Sequence, residues 1–279
     1  MEKKNKISKF LLLLMMIVAM MGVCCISAGA TTVSYRTIPH SQTPVKIGNS
    51  YVWATGEFGD GIRIKKSKNS SVKEVKWENW GTLGGVTDGE YMYVGEQLTS
   101  DTSGTLILRK YSIATGKTTK YKTIKDVYGG TVSGYYKNRM YYCYLKDSYK
   151  LRVFDTKTMK DSVVNNSFDT FYSYGRYIFG CSGGEGLKVY NMETKKFTTL
   201  SKKGWWNGSD KGYAGYYYYP RYIDKASNNM NKYKIYKFNL KTGKSAPVSK
   251  TFEASGFSEV TNKKVTYIKQ GNKEYTLKY

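Results

Sequence analysis

The sequence predicts an all-β fold, a six-bladed β-propeller of four-stranded antiparallel blades. Three observations predict it. Short aromatic and β-branched segments recur between turns rich in Gly, Asn, Asp and Lys. The chain repeats itself with a period near ~40 residues, the length of a four-stranded blade. Tyr and Gly each number 28 while long helix-favouring runs are missing.

Taken in chain order, residues 1–30 read as a signal peptide. Lys3, Lys4, Lys6 and Lys9 form a positive start, Phe10 to Val23 is uncharged and apolar, and Ala28-Gly29-Ala30 offers a cleavage site. A lipid anchor on Cys24 or Cys25 is the alternative, but Val23 and Cys24 fit a lipobox poorly. Residues 31–279 form the propeller domain, and no later segment is long and apolar enough to span a bilayer.

Two kinds of segment then alternate. One is a strand, a tight turn and an aromatic strand, designated a and b: 45–55, 86–95, 133–144, 172–181, 212–219 and 259–268. The other is an apolar strand running through a Thr-Lys or Thr-Gly-Lys turn into a second strand, designated c and d. It recurs around Thr115, Thr158, Thr194 and Thr242, with a weaker copy over 62–75. Six a–b units imply six blades. The last unit supplies a, b and c over 255–279 and no d. The unassigned strand VSYRTI (33–38) is therefore expected to pair beside 273–279, closing the ring and covering an exposed edge.

The motifs VFDTKTMK and FNLKTGK resemble secreted bacterial six-bladed propellers of the TolB-like and low-density-lipoprotein-receptor-like kind. The resemblance implies an extracytoplasmic propeller, many of which have no assigned activity. The Tyr-Trp-Thr-Asp repeat and the Ser-x-Asp-x-Gly-x-x-Trp boxes of sialidases are missing, so the resemblance carries over no active-site residue.

Formal net charge is +24, and +21 once the four lysines and one glutamate of residues 1–30 are removed. Such a surface attracts polyanions, and outside the cytoplasm the available ones are anionic envelope polymers. Nucleic acid is not expected, because the basic residues are scattered in turns instead of interleaved with aromatics along a groove. One histidine in the chain makes a zinc site or a histidine-based triad hard to build. No loop carries the Asp-x-Asp-x-Asp spacing of a calcium site, and no cofactor is implied. Cys143 and Cys181 fall in equivalent strands of neighbouring repeats. They either bridge blades or stay as buried thiols.

Propeller topology puts the a–b and c–d turns on one face and the b–c and d–a loops on the other. The first face is basic, with Lys137, Arg139, Lys160, Arg176, Lys195, Lys241 and Lys244 among its residues. The second carries Trp77, Trp80, Trp205 and Trp206 in d–a loops. Its b–c loops hold Glu57, Asp60, Glu96, Asp101, Asp147, Glu185 and Asp224. The candidate ligand-binding residues are Trp77, Trp80, Trp205, Trp206, Glu57, Asp60, Asp101, Glu185 and Asp224. Flat indole faces suit sugar rings and carboxylates accept hydroxyl hydrogens. Trp53 and half of Tyr216–Tyr219 are expected in the core, and His40 exposed and without a role.

The expected function is a secreted or cell-surface non-catalytic binding propeller. It takes a glycan or protein ligand at the Trp/acidic face, turns its basic face to envelope polyanions, and acts as a monomer. The alternative is an extracellular carbohydrate-active hydrolase or lyase using mouth carboxylates such as Asp60 and Glu185.

Overall fold

The computed structural model describes residues 34–54, 61–75, 82–99, 104–127, 130–144, 150–182, 185–203, 215–227, 229–269, 271 and 273–279. The predicted signal segment lies outside these residues. The described chain from Ser34 to Tyr279 is one compact unit without a helix, built of antiparallel strands. No helix in it is long and apolar enough to cross a membrane.

After β1 (Arg36–Thr37), the strands form successive sheets. The first is β2 (Lys46–Ile47), β3 (Ser50–Ala54), β4 (Ile62–Lys65) and β5 (Lys73–Val75). The second is β6 (Thr82–Thr87), β7 (Tyr91–Thr99), β8 (Gly104–Ser112) and β9 (Thr118–Lys125). The third is β10 (Thr131–Tyr136), β11 (Arg139–Cys143), β12 (Leu151–Asp155) and β13 (Asp161–Asn165). The fourth is β14 (Asp169–Tyr174), β15 (Tyr177–Ser182), β16 (Glu185–Asn191) and β17 (Lys196–Ser201). The fifth has β18 (Tyr216–Lys225) and β19 (Asn231–Asn239), with β20 (Ser245–Pro247) and β21 (Phe252–Ala254) both paired to β19. The sixth is β22 (Gly256–Val260), β23 (Lys264–Ile268) and β24 (Glu274–Lys278).

Most strands fall where the a–b and c–d segments predict them, but β7 and β18 run on through Glu96 and Asp224, which were expected in b–c loops, and the a strand expected at the start of 212–219 lies outside the described residues. The c–d turns share one build. Asp155 Oδ1 accepts from the backbone N–H of Lys157 and Thr158 at 3.0 and 2.9 Å. Asn191 does the same for Glu193 and Thr194, and Asn239 for Lys241 and Thr242. Four residues beyond each of these caps the chain turns left-handed, at Met159, Lys195 and Gly243 (φ 60°, 57° and 72°). This Asx turn is the physical content of the Thr-Lys and Thr-Gly-Lys motif.

Hydrophobic cores lie between consecutive sheets, as expected when no single sheet can bury both of its faces. Val52, Ile62 and Ile64 of the first sheet meet Met92 and Val94 of the second. Leu106 and Leu108 meet Tyr142 and Phe154 across the second and third. Leu151 meets Ile178 and Tyr190 across the third and fourth. Phe179 and Val189 meet Tyr217 and Tyr219 across the fourth and fifth, and Ile235 meets Val265 across the last two. Trp53 is buried, and Tyr217 and Tyr219 point inward while Tyr216 and Tyr218 are half-exposed, as strand alternation predicts. Cys143 and Cys181 are both buried and are not joined in a disulfide, so the inter-blade bridge does not form. Burial raises the Cys143 thiol above its ordinary range.

The N-terminal strand corrects the sequence reading. β1 does not pair with β24. It pairs antiparallel with β14 (Arg36 opposite Tyr174) and with β6 (Arg36 opposite Thr87, Thr37 opposite Val86). It thereby joins the second and fourth sheets into one nine-stranded sheet. The physical reason is burial on both flanks. Tyr35 meets Tyr93 and Tyr135 edge-on at 5.4 and 4.9 Å, Ile38 enters the first core, and both edges of β1 find partners where an outer position offers one. Among the described residues neither a hydrophobic core nor a strand pairing joins the sixth sheet to the first, so the closed ring and the blade count are not part of the observed fold.

Candidate functional site

The first strands of the second, third and fourth sheets, β6, β10 and β14, converge around β1. β10 lies against both β6 and β14. Ile38 N–H donates to Gly85 C=O at 2.9 Å, and Gly175 N–H donates to Tyr35 C=O at 2.7 Å, so β1 is held at both ends. Ser173 N–H donates to Thr37 Oγ1 at 2.7 Å.

Each of the three strands carries a bulge near its start: between Thr82 and Gly85, between Val132 and Gly134, and between Thr170 and Tyr172. A bulge turns a side chain out of its regular alternation and often flanks a site. Gly84 is needed here. Its φ is +143°, and a Cβ on it would stand 2.6 Å from Thr131 Oγ1.

Over these bulges lies a cavity of about 280 Å³, lined by Thr37, His40, Thr131, Ser133 and Thr170, with the Gly84-Gly85 backbone and Tyr172 beside them. It opens where the a strands begin, which is the b–c/d–a face. The walls are rich in hydroxyls. Ser133 Oγ and Thr170 Oγ1 are 2.6 Å apart, and Cys143 Sγ lies 3.5 Å from each. Among the described residues no carboxylate lines the cup. Asp169, the first residue of β14, has its carboxyl raised by burial, partly offset by the backbone N–H of Thr170.

The predicted ligand residues meet this site only in part. Trp77, Trp80, Trp205, Trp206, Glu57, Asp60 and Asp101 lie outside the described residues. Glu185 opens β16 opposite Ser182. Asp224 is exposed near the end of β18, opposite Lys232, and accepts from Lys225 N–H at 2.8 Å. Asp224 does not line the cup. Glu96 is not a loop carboxylate. It is 1 % exposed within β7 and bound to Arg109 Nε at 2.5 Å. His40, assigned no role by sequence, is exposed as expected yet lines the cup. Sequence reasoning also missed Thr37, Thr131, Ser133 and Thr170. The available signal was small and hydroxylated residues at the starts of the a strands.

These features define the class: a β-propeller-like all-β fold of antiparallel, mostly four-stranded sheets stacked face to face, with one added strand, β1, between the first strands of the second and fourth sheets. No protein-family model matches the sequence, and no curated protein matches it. Among solved structures, one from a study of two prolyl endopeptidases is similar at 11 % identity and TM-score 0.46, covering 85 % of this chain and 40 % of that one. An oligogalacturonate lyase from Vibrio parahaemolyticus is similar at 9 % identity and TM-score 0.43, covering 82 % and 74 %. An uncharacterized protein from Listeria monocytogenes is similar at 11 % identity and TM-score 0.36, covering 88 % and 95 %. The chain thus spans less than half of the prolyl endopeptidase chain. At these scores the likenesses carry no functional argument.

Proposed function

We propose that residues 31–279 are an exported, six-bladed, non-catalytic binding propeller that seats a glycan or protein group in the axial cup. The observation that carries the reading is the 280 Å³ cavity walled by hydroxyls and one imidazole at the convergence of three sheets. Its size lies just below the ~300–1,000 Å³ range of small-molecule sites, enough for a single sugar ring or a small polar group. Hydroxyls both donate and accept, which suits a sugar or a backbone amide. β6 begins at Thr82, just beyond Trp77 and Trp80 in sequence, so these indoles are part of the proposal as rim residues. Trp205, Trp206, Glu57, Asp60, Asp101, Glu185 and Asp224 stand in it on sequence grounds alone. So do the signal peptide and the TolB-like kinship. The basic turn face is proposed to meet envelope polyanions.

The test is a glycan array and a cell-wall pull-down with wild type and His40→Trp, which fills the cup from an exposed position. Retention of a ligand by wild type and its loss in the variant, at unchanged melting temperature, is expected. Equal retention by both proteins would sink the cup as the seat. The carbohydrate-active enzyme is the second reading. The observation favouring it is the raised Asp169 carboxyl beside Thr170. Turnover of a polysaccharide that Asp169→Asn abolishes would replace the first reading with the second.

A further inference from the structure

We propose a second binding site, a cationic groove between the outer parts of the third and fourth sheets that takes the carboxylate-bearing sugars of an acidic polysaccharide. It rests on the basic-face reading above and narrows it to one place and one ligand chemistry.

The groove has a volume of about 470 Å³. Among the described residues three cations line it: Arg139 at the start of β11, Lys160 before β13, and Lys195 in the turn before β17. One carboxylate shares it, Asp155, and that group is committed elsewhere. Its Oδ1 holds the backbone N–H groups of Lys157 and Thr158, and those bonds keep it ionised by lowering its pKa. Arg139 Nε reaches Asp155 Oδ2 only at 3.9 Å. The local balance is therefore positive.

The neighbouring interface shows what a closed groove looks like. Between the second and third sheets, Lys122 and Arg152 both reach Asp161 Oδ2, which also accepts from Tyr142 Oη at 2.8 Å. Tyr121 packs on Phe154 there. Both cations are held on one carboxylate, and aromatic rings occupy the space. Between the third and fourth sheets, the corresponding β13 positions facing the fourth sheet are Ser162 and Val164, both too short to fill the wedge. Half-buried Phe197 and Val163, 46 % exposed, give the groove an apolar wall, with the buried Tyr190 ring packed behind Phe197.

This combination selects a ligand. A polyol phosphate chain would satisfy the cations but has no flat apolar face for the wall. A uronic sugar has both a planar carboxylate, which a guanidinium binds through two parallel bonds, and a ring face. The volume lies within the range of small-molecule sites.

The probe is a set of short alginate oligosaccharides, titrated calorimetrically into the chain at physiological salt. Two exposed lysine pairs are compared, each reversed to glutamate. Lys160→Glu/Lys195→Glu strikes the groove. Lys241→Glu/Lys244→Glu makes the same charge change in the equivalent turn of the fifth sheet. Each lost charge-assisted contact weakens binding, so the groove pair is expected to lose at least about tenfold in affinity and the control pair about twofold or less. Carboxyl-reduced alginate should not bind, and polyglycerol phosphate should bind more weakly and fall equally in both pairs. Equal losses of alginate affinity in the two pairs overturn the groove but leave a diffusely basic face intact. No alginate binding by wild type overturns both. Thermal melts of both double variants establish that each is folded.

Discussion

Phe179 shows how single side chains hold this fold. It is fully buried, stacks on Tyr217 at 4.0 Å between ring centres, and meets Phe238 edge-on at 5.4 Å. Phe179→Ala should therefore cost about 3–5 kcal/mol, read as a lower urea midpoint with an unchanged slope. Glu193 acts through charge instead. Its carboxylate accepts from Tyr136 Oη at 2.7 Å and from Lys137 Nζ at 3.1 Å. Arg176 completes the site at 2.6 Å and also donates to Lys241 C=O, so turns of three sheets are tied together. These bonds lower the Glu193 pKa from 4.5 to about 2. A depressed folded-state pKa stabilises fully above the unfolded value, and the gain disappears as pH falls from 4.5 towards 2. Glu193→Gln should flatten that stretch of the stability–pH profile and leave the neutral-pH slope alone, as urea titrations across the window would measure. At this scale the sequence was readable where alternation decides, as for Trp53 and Tyr216–Tyr219. It was not readable for Glu96. A carboxylate near a strand end looks like a loop charge until Arg109, on the neighbouring strand, is seen to neutralise it.

At the scale of elements, the turns set the register and their glycines differ in what they do. Gly116 has φ +75°, and a Cβ there would meet nothing nearer than Lys73 Nζ at 3.5 Å. Gly116→Ala should cost only the left-handed strain of about 1 kcal/mol. Gly89 has φ +89°, and a Cβ would stand 1.9 Å from the Ile47 carbonyl oxygen, a backbone atom of the preceding sheet. Gly89→Ala must push the first and second sheets apart, so a loss above about 3 kcal/mol is expected. Met159 offers the reverse change. It is 55 % exposed at φ 60°, so Met159→Gly should gain a few tenths of a kcal/mol, up to about 1. Thermal melts of the three variants rank them, and the argument fails if Gly89→Ala is as mild as Gly116→Ala. The repeating Thr-Lys and Thr-Gly-Lys turns were legible because an Asx cap and a left-handed residue are local chemistry. The bulges at the starts of β6, β10 and β14 were not, because a bulge is defined only against a partner strand.

At the scale of the whole molecule, β1 is the keystone, since it pairs on both sides and unites the second and fourth sheets. Deleting residues 31–38 should speed amide exchange in β6 and β14 by at least about tenfold while β19 is little changed. Hydrogen-exchange mass spectrometry reads this directly, and faster exchange confined to β24 would restore the original closing role for the N-terminal strand. The cup depends on the same placement, because Thr37 and His40 reach it only when β1 lies between β6 and β14. The side of the sheets on which the a strands start was legible from loop order. The residues lining the cup were not, since they come from four segments far apart in the chain.

The sequence by itself determined that the chain is all β, where most strands and turns lie, that Trp53 and half of Tyr216–Tyr219 face the cores, and that the net charge is strongly positive. These follow from alternation, turn chemistry and composition, which are properties of neighbouring residues. Only the tertiary structure decided where the N-terminal strand pairs, which wedges between sheets are filled, and which side chains share a cavity. Those outcomes depend on competition between distant edges for the same hydrogen bonds and the same buried space, and no local pattern encodes the winner.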